Sequence, residues 1–285
     1  MYFSRTHSAE IARSDTIAPT PMNPASSLLP LPDFYERVLV ITAHPDDAEY
    51  AFGGTIGRLC AEGSEVHYLV CTDGSQGGED PHEASAALTA IRYAEQRTAA
   101  ELFGVDSVTF LGLPDGTLTP TLALRRSLVE AIRRVRPRLV LTHQPLRSLE
   151  YPIGASHPDH LAVGEAALGA VYPDARNPRA FPELLAAGLG PHRVTEVWVP
   201  GHEHTDFFVD VGPYHERKIA ALMCHASQFR TSVDPRADVA WVVERMRGFG
   251  DRAGCGYAEG FKRIVTDTAT APGPVRAGHE RSGAS

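Results

Sequence analysis

Residues 37–57 read RVLVITAHPDDAEYAFGGTIG, and this stretch decides the fold. Val38, Leu39, Val40 and Ile41 form a continuous apolar, largely β-branched run, the pattern of a strand covered on both faces. The run stops at His44-Pro45-Asp46-Asp47, because a proline cannot donate to a central ladder. Gly53-Gly54 reads as a flexible turn, and Thr55 as the N-cap of a helix over Ile56 to Glu62 with Gly63 past its end. The stretch therefore predicts one imidazole and two carboxylates at the carboxyl end of a buried strand. In open α/β sheets that edge binds ligands.

The same alternation recurs outward from it. Val66 to Thr72 is a second strand, ending in the loop Asp73 to Gly78. Ala84 to Leu102 has helical spacing and Gly104 closes it; Ser107 to Leu111 is a third strand, followed by a turn over Gly112 to Gly116. Leu122 to Val135 is an amphipathic helix and Arg138 to Thr142 a fourth strand. After a loop over residues 143–156, His157-Pro158-Asp159-His160 opens a helix to about Ala170, with Pro158 at the first helical position. Residues 172–191 read as a Pro- and Ala-rich surface excursion. Val194 to Val199 and Asp206 to Val211 are later strands, and Tyr214 to Cys224 and Val239 to Arg247 later helices, with Gly248 past the last. Strand–helix alternation over residues 37–170 predicts an α/β three-layer sandwich with a mostly parallel sheet. No linker divides the chain, so one domain is expected over 33–267. A Ser-, Thr-, Pro- and Ala-rich arm over 1–32 precedes it, and 268–285 reads as a disordered tail.

Composition narrows the function. With 43% hydrophobic and 22% charged residues in 285, the chain can bury a sizeable core. A net charge of −8 argues against a nucleic-acid footprint, which needs clustered Lys and Arg. The four cysteines are widely spaced with no CxxC, so they read as buried thiols. No run of apolar residues is long enough to span a bilayer, and the first residues lack a secretory pattern, which predicts a cytoplasmic location.

Taken singly, Asp46 is an ordinary helix N-cap, His44 a satisfied core histidine, and HxxH weak evidence for a ligand pair. Adjacent carboxylates repel unless a cation lies between them, however, and the histidines of a second strand-end loop supply further nitrogen donors. Two histidines, one carboxylate and a water suit a catalytic zinc with an open position, and the same donors hold ferrous iron. Arg92 and Glu95 fit a surface helical pair and Asp115 a turn former. His202, Glu203 and His204 read as surface loop, with Gln76 and His143 as further rim candidates. His225 reads as a contact to a helix C-terminus.

HPDDAEYAFGGT followed by SHPDH resembles the PIG-L/LmbE-like family of zinc-dependent N-acetylglucosamine deacetylases. The likeness continues through RYAEQRTAAELFGVDSVTFLGLPDG and KIAALMCHASQF, covering roughly residues 37–230. The resemblance implies a Rossmann-like fold without a dinucleotide, with zinc bound by His44, Asp47 and His160. It implies Asp46 as general base, His157 as stabiliser of the oxyanion, and Arg92 and Asp115 as holders of sugar hydroxyls. Its implied partner is a small-molecule amino-sugar conjugate; homo-oligomerisation is compatible with it. Ala48 stands where some relatives carry the Glu of HPDDE, and Ala155 where mycothiol-type relatives carry a tyrosine. The competing enzymatic expectation is an amidase for a larger acyl group, with residues 172–191 setting pocket size. A non-catalytic binder would need only ligands and neither Asp46 nor His157. A nucleotide site is disfavoured because AFGGT is not GxGxxG.

Overall fold

A computed structural model describes residues 35–78, 80, 82–151 and 153–266; the expected arm and tail lie outside the described residues. The chain runs β1 (Arg37–Thr42), α1 (Asp47–Ala61), β2 (Glu65–Thr72), α2 (Ser85–Phe103), β3 (Ser107–Leu113), α3 (Leu122–Val135) and β4 (Leu139–Thr142). It continues through α4 (Pro158–Val171), α5 (Pro182–Ala186), β5 (Glu196–Pro200), β6 (Phe207–Asp210), α6 (His215–Met223), α7 (Pro235–Asp238), α8 (Ala240–Ala253) and β7 (Ala258–Val265). The strands form one seven-stranded sheet in the order β3-β2-β1-β4-β5-β7-β6. The run from β3 to β5 is parallel, and β7 is antiparallel to both of its neighbours.

The continuous apolar run of β1 is explained by its two covered faces. Val38 and Val40 join a core with Phe52, Ile56 and Leu59 of α1, Phe103 of α2, Leu222 of α6 and Met246 of α8. Leu39 and Ile41 join the opposite core with Leu128 and Ile132 of α3, Val163 and Ala167 of α4 and Leu184 of α5. Alternate side chains of one strand thus feed both layers, which is the three-layer sandwich expected. From β1 the chain winds outward through β2 and β3, then returns to place β4 on the other side of β1. This reversal opens a crevice beyond the carboxyl ends of β1 and β4. Among the described residues no helix is long and apolar enough to cross a membrane.

Two expectations are corrected and a third is refined. Gly53-Gly54 is not a turn: α1 starts at Asp47, and both glycines lie inside it. A Cβ on Gly54 would come within 2.7 Å of the Val211 Cβ, and one on Gly53 within 2.9 Å of the Lys218 Cγ. The glycines let α1 approach α6 and the end of β6 closely, against the helix-breaking tendency of glycine. The last helix passes through Gly248 and ends at Gly254, which adopts φ 75° at the C-cap. The segment 172–191 runs mostly at the surface, as expected, and is pinned there by Ala175 and Leu184, which are buried against α3 and α4.

Candidate metal centre and active site

Both sequence clusters meet at the crevice. His44 follows β1, and Asp46 is the N-cap of α1 with φ 93°, a left-handed conformation that side chains rarely adopt. Its carboxylate makes no capping bond; its backbone N–H donates to Gln96 Oε1 at 2.8 Å. The turn keeps the Asp46 carboxylate off the helix end, within reach of Arg92, and lets Asp47 Oδ2 accept from the His44 backbone N–H at 2.7 Å. On α4 Pro158 takes the first helical position, as expected, and His157 is the N-cap, its Nδ1 accepting from the Asp159 N–H at 3.2 Å.

Three side chains converge. His44 Nδ1 lies 3.2 Å from His160 Nε2 and 3.4 Å from Asp47 Oδ2, and His160 Nε2 lies 3.0 Å from Asp47 Oδ1. A tetrahedral ion with bonds of about 2.0–2.1 Å requires ligand atoms about 3.3 Å apart, so the set fits a small divalent cation. The tautomer of His44 fits as well. Its Nε2 faces Asp115 Oδ1 at 3.1 Å and Asp159 Oδ2 at 3.2 Å, both acceptors, so the ring proton sits there and Nδ1 keeps its lone pair. Burial works against a charged His44, yet its hydrogen bonds to Asp115, Asp159 and Asp47 push it up to about 12, so without a cation the ring also holds a proton on Nδ1, which a metal ion would displace. So much negative charge around one imidazole marks a place built to hold a cation.

The neighbouring groups differ in charge state. Asp47 stays well below the usual carboxylate range in spite of burial, because His160 and His143 lie against it. Burial lifts Asp46 to about 6, with Asp47 adding to the rise and the Arg92 guanidinium opposing it. Burial and the nearby His44 lower His157. His157 stands 4.9 Å from His44, ring centre to ring centre and edge on.

Arg92 and Asp115 are brought to the site, but beneath it. Arg92 is 3% exposed; it donates to the carbonyls of Pro45 at 2.7 Å and Gly74 at 2.8 Å, and reaches Asp46 Oδ2 at 3.3 Å. Asp115 is 5% exposed and holds His44 Nε2 and the Gln76 N–H. Gln76 donates in return to the Asp115 carbonyl.

Several residues had no role in the sequence reading. Asp159 clamps His44 while accepting from the backbone N–H groups of Gly116 and Leu118. His143, noted only as a rim candidate, is buried; its Nε2 lies 3.1 Å from Asp47 Oδ2, and its ring stacks on His160 at 4.1 Å. Its place at the carboxyl end of β4 was the available signal. His225 does not simply lie at a helix end: it is buried with Nε2 3.1 Å from Glu49 Oε2, while Gln96 donates to both oxygens of Glu49. That network sits behind Asp46.

A cavity of ≈ 560 Å³ opens over Asp46, Asp47, His143 and His160. Tyr50, Tyr151, Trp241, Gln144, Ala155, His202 and Arg245 form much of its wall. Gln144 Nε2 is buried and finds no acceptor among the described residues. No residue of 172–191 lines the cavity.

A mostly parallel seven-stranded sheet with a cluster of His and Asp side chains that could hold a metal ion, at the edge of a cavity, is a frame that suits a metal-site hydrolase. The profile described as PIG-L: GlcNAc-PI de-N-acetylase matches residues 39–171. The chain is 33% identical over 233 residues to diacetylchitobiose deacetylase of Thermococcus kodakarensis, covering 80% of this chain and 83% of the relative. It is 32% identical to a probable N-acetyl-alpha-D-glucosaminyl L-malate deacetylase 2 of Bacillus anthracis, over 69% of this chain and 83% of that one. The solved structure of N,N'-diacetylchitobiose deacetylase from Pyrococcus horikoshii with its inhibitor MPG superposes with TM-score 0.75 and 29% identity, covering 81% and 84% of the two chains. The chain belongs to the PIG-L family of deacetylases, enzymes that hydrolyse amide bonds.

Proposed function

We propose that this chain removes the acetyl group from an N-acetylglucosaminyl conjugate, with Zn2+ held by His44, Asp47 and His160. The observation that carries this is the approach of His44 Nδ1, His160 Nε2 and the Asp47 carboxylate to 3.0–3.4 Å, at the edge of a cavity lined by Asp46, Asp47 and His160. Ferrous iron is the alternative ion for the same donors. The relatives named above act, by their names, on N-acetylglucosamine conjugates, and the cavity is large enough for a sugar.

A divalent cation held by His44, Asp47 and His160 would supply polarisation of the amide carbonyl and a water of lowered pKa. The protein supplies the rest. Asp46, lifted toward neutrality, takes the proton of the attacking water and returns it to the departing amine, so that acetate and a free amino sugar leave. His157, with Nδ1 occupied by the Asp159 N–H, carries its proton on Nε2 and offers it to the developing oxyanion. Gln144 contributes a second donor from the wall. For Arg92 and Asp115 we propose positioning roles: Arg92 fixes the Pro45–Asp46 turn and Asp115 fixes the His44 ring. No residue of 172–191 lines the cavity, so that segment gives the larger-acyl alternative no support.

The test is acetate and amine release from N,N'-diacetylchitobiose and from N-acetylglucosamine glycosides, with and without chelator. Release that stops on chelation and returns with Zn2+ supports the proposal. No release from any N-acetylglucosaminyl substrate by the metal-loaded enzyme contradicts it.

A further inference from the structure

We infer that Arg245 anchors a carboxylate on the aglycone, so that the substrates of this chain are acidic N-acetylglucosaminyl conjugates; the inference rests on the deacetylase function proposed above. The cavity over the metal centre meets a narrower hollow, and the wall shared by the two is Ala51, Tyr151, Pro200, His202 and Arg245. Among the described residues Arg245 is the one cationic side chain on the wall apart from the histidines.

Its guanidinium is held in place without being neutralised. Its Cζ lies 5.3 Å from the Trp241 ring centre, and Trp241, 48% exposed, stacks on Tyr50 at 5.9 Å and 9°. One amino group donates to the Tyr50 carbonyl at 3.1 Å. No carboxylate among the described residues forms an ion pair with Arg245. The acid that most favours its charge is Glu259, whose Oε1 already receives Lys218 Nζ at 2.6 Å and the Gly54 N–H at 2.9 Å. Glu259 Oε2 receives the Thr55 N–H at 2.8 Å. Two cations, Lys218 and Arg245, therefore share one carboxylate and repel each other.

A half-buried guanidinium lacking an acid is costly, and an incoming anion relieves that cost. A planar carboxylate matches two parallel N–H donors of the fork. The stacked Tyr50–Trp241 pair beside it offers apolar faces to the sugar between the metal centre and Arg245.

The test uses two probes, the carboxymethyl glycoside of N-acetylglucosamine and its methyl ester. Acetate release is measured for turnover, and quenching of Trp241 fluorescence for binding. Wild type should prefer the acid to the ester by about tenfold in kcat/KM, Arg245→Gln should bring the ratio close to one, and Arg245→Lys should keep part of it. Equal use of both probes by wild type, or an unchanged ratio in Arg245→Gln, overturns the anchor while leaving the deacetylase function standing. Tighter binding of the acid that Arg245→Gln abolishes, with release from neither probe, upholds the anchor and removes the deacetylase function. No preference in either turnover or binding overturns the anchor. Should Arg245→Gln fail to fold, as read by thermal melting, the wild-type ratio and Arg245→Lys decide.

Discussion

Asp159→Asn isolates the contribution of the residues behind the metal site. Asp159 Oδ2 accepts from His44 Nε2 at 3.2 Å and from the Gly116 N–H at 2.8 Å, while Oδ1 accepts from the Leu118 N–H at 3.0 Å. An asparagine must put its NH2 at one of these two places. At the Oδ2 place it faces the His44 ring and drives the proton to Nδ1, the atom that points at His160 and Asp47. At the Oδ1 place it faces another N–H and leaves a neutral acceptor for His44. Either way the metal-binding tautomer is weakened. Such outer partners are worth about 10- to 100-fold in metal affinity, or about 1.4–2.8 kcal/mol. Asp115 Oδ1 remains 3.1 Å from the same His44 nitrogen, so the single substitution belongs at the lower end. We expect Zn2+ affinity to fall about tenfold in Asp159→Asn and to approach a 100-fold loss when Asp115→Asn is added. Competition with a chelating dye measures it, on protein whose denaturant melt shows a native fold. An affinity within about threefold of wild type in the double variant would refute the clamp.

Four further outcomes follow from the same geometry. Asp46→Asn should bind Zn2+ as wild type does and lose about 10²–10⁴ in kcat, checked by acetate release beside metal analysis; undiminished kcat removes its role as base. Because burial lifts Asp46 to about 6, kcat/KM should fall as pH drops through about 6, where the base becomes protonated, and level off above; a flat profile across that pH contradicts this. Gly54→Ala should lower stability by on the order of 1 kcal/mol in urea. A helix gain of about 1 kcal/mol is outweighed by overpacking of about 1–3 kcal/mol where the Cβ meets Val211 at 2.7 Å. Lys218→Met should cost about 3–5 kcal/mol, because buried Glu259 is left without its cation; a melt unchanged from wild type counts against it.

What was legible in the sequence was what lies close together along it. The strand of Val38 to Ile41 is covered on both faces, so its pattern is unambiguous, and Pro45 and Pro158 mark where elements stop and start. The two histidine–aspartate motifs could be recognised because each keeps its donors within four residues, and each lies at a strand end or helix start. The start of α1 was misread because Gly53 and Gly54 look like a break, whereas their purpose is the close approach of Val211 and Lys218, residues distant in sequence. β7 was missed because it mixes Lys262 and Arg263 with apolar residues and gains its place only by pairing between β5 and β6. Most of the cavity wall was invisible for the same reason: Tyr50, Tyr151 and Arg245 share no local pattern and meet only in the fold, whereas His202 stood among the rim candidates. Asp159, lying inside a recognised motif, could be seen but not assigned, since its partner His44 belongs to the other loop.

The central claim is that one cation is gripped by donors from both loops. Anomalous diffraction at the zinc edge, on crystals grown with Zn2+, tests it most directly. The account predicts a single peak bonded to His44 Nδ1, Asp47 and His160 Nε2. A peak on the far side of His44, between Asp115 and Asp159, or two separate ions on the two loops, would contradict it.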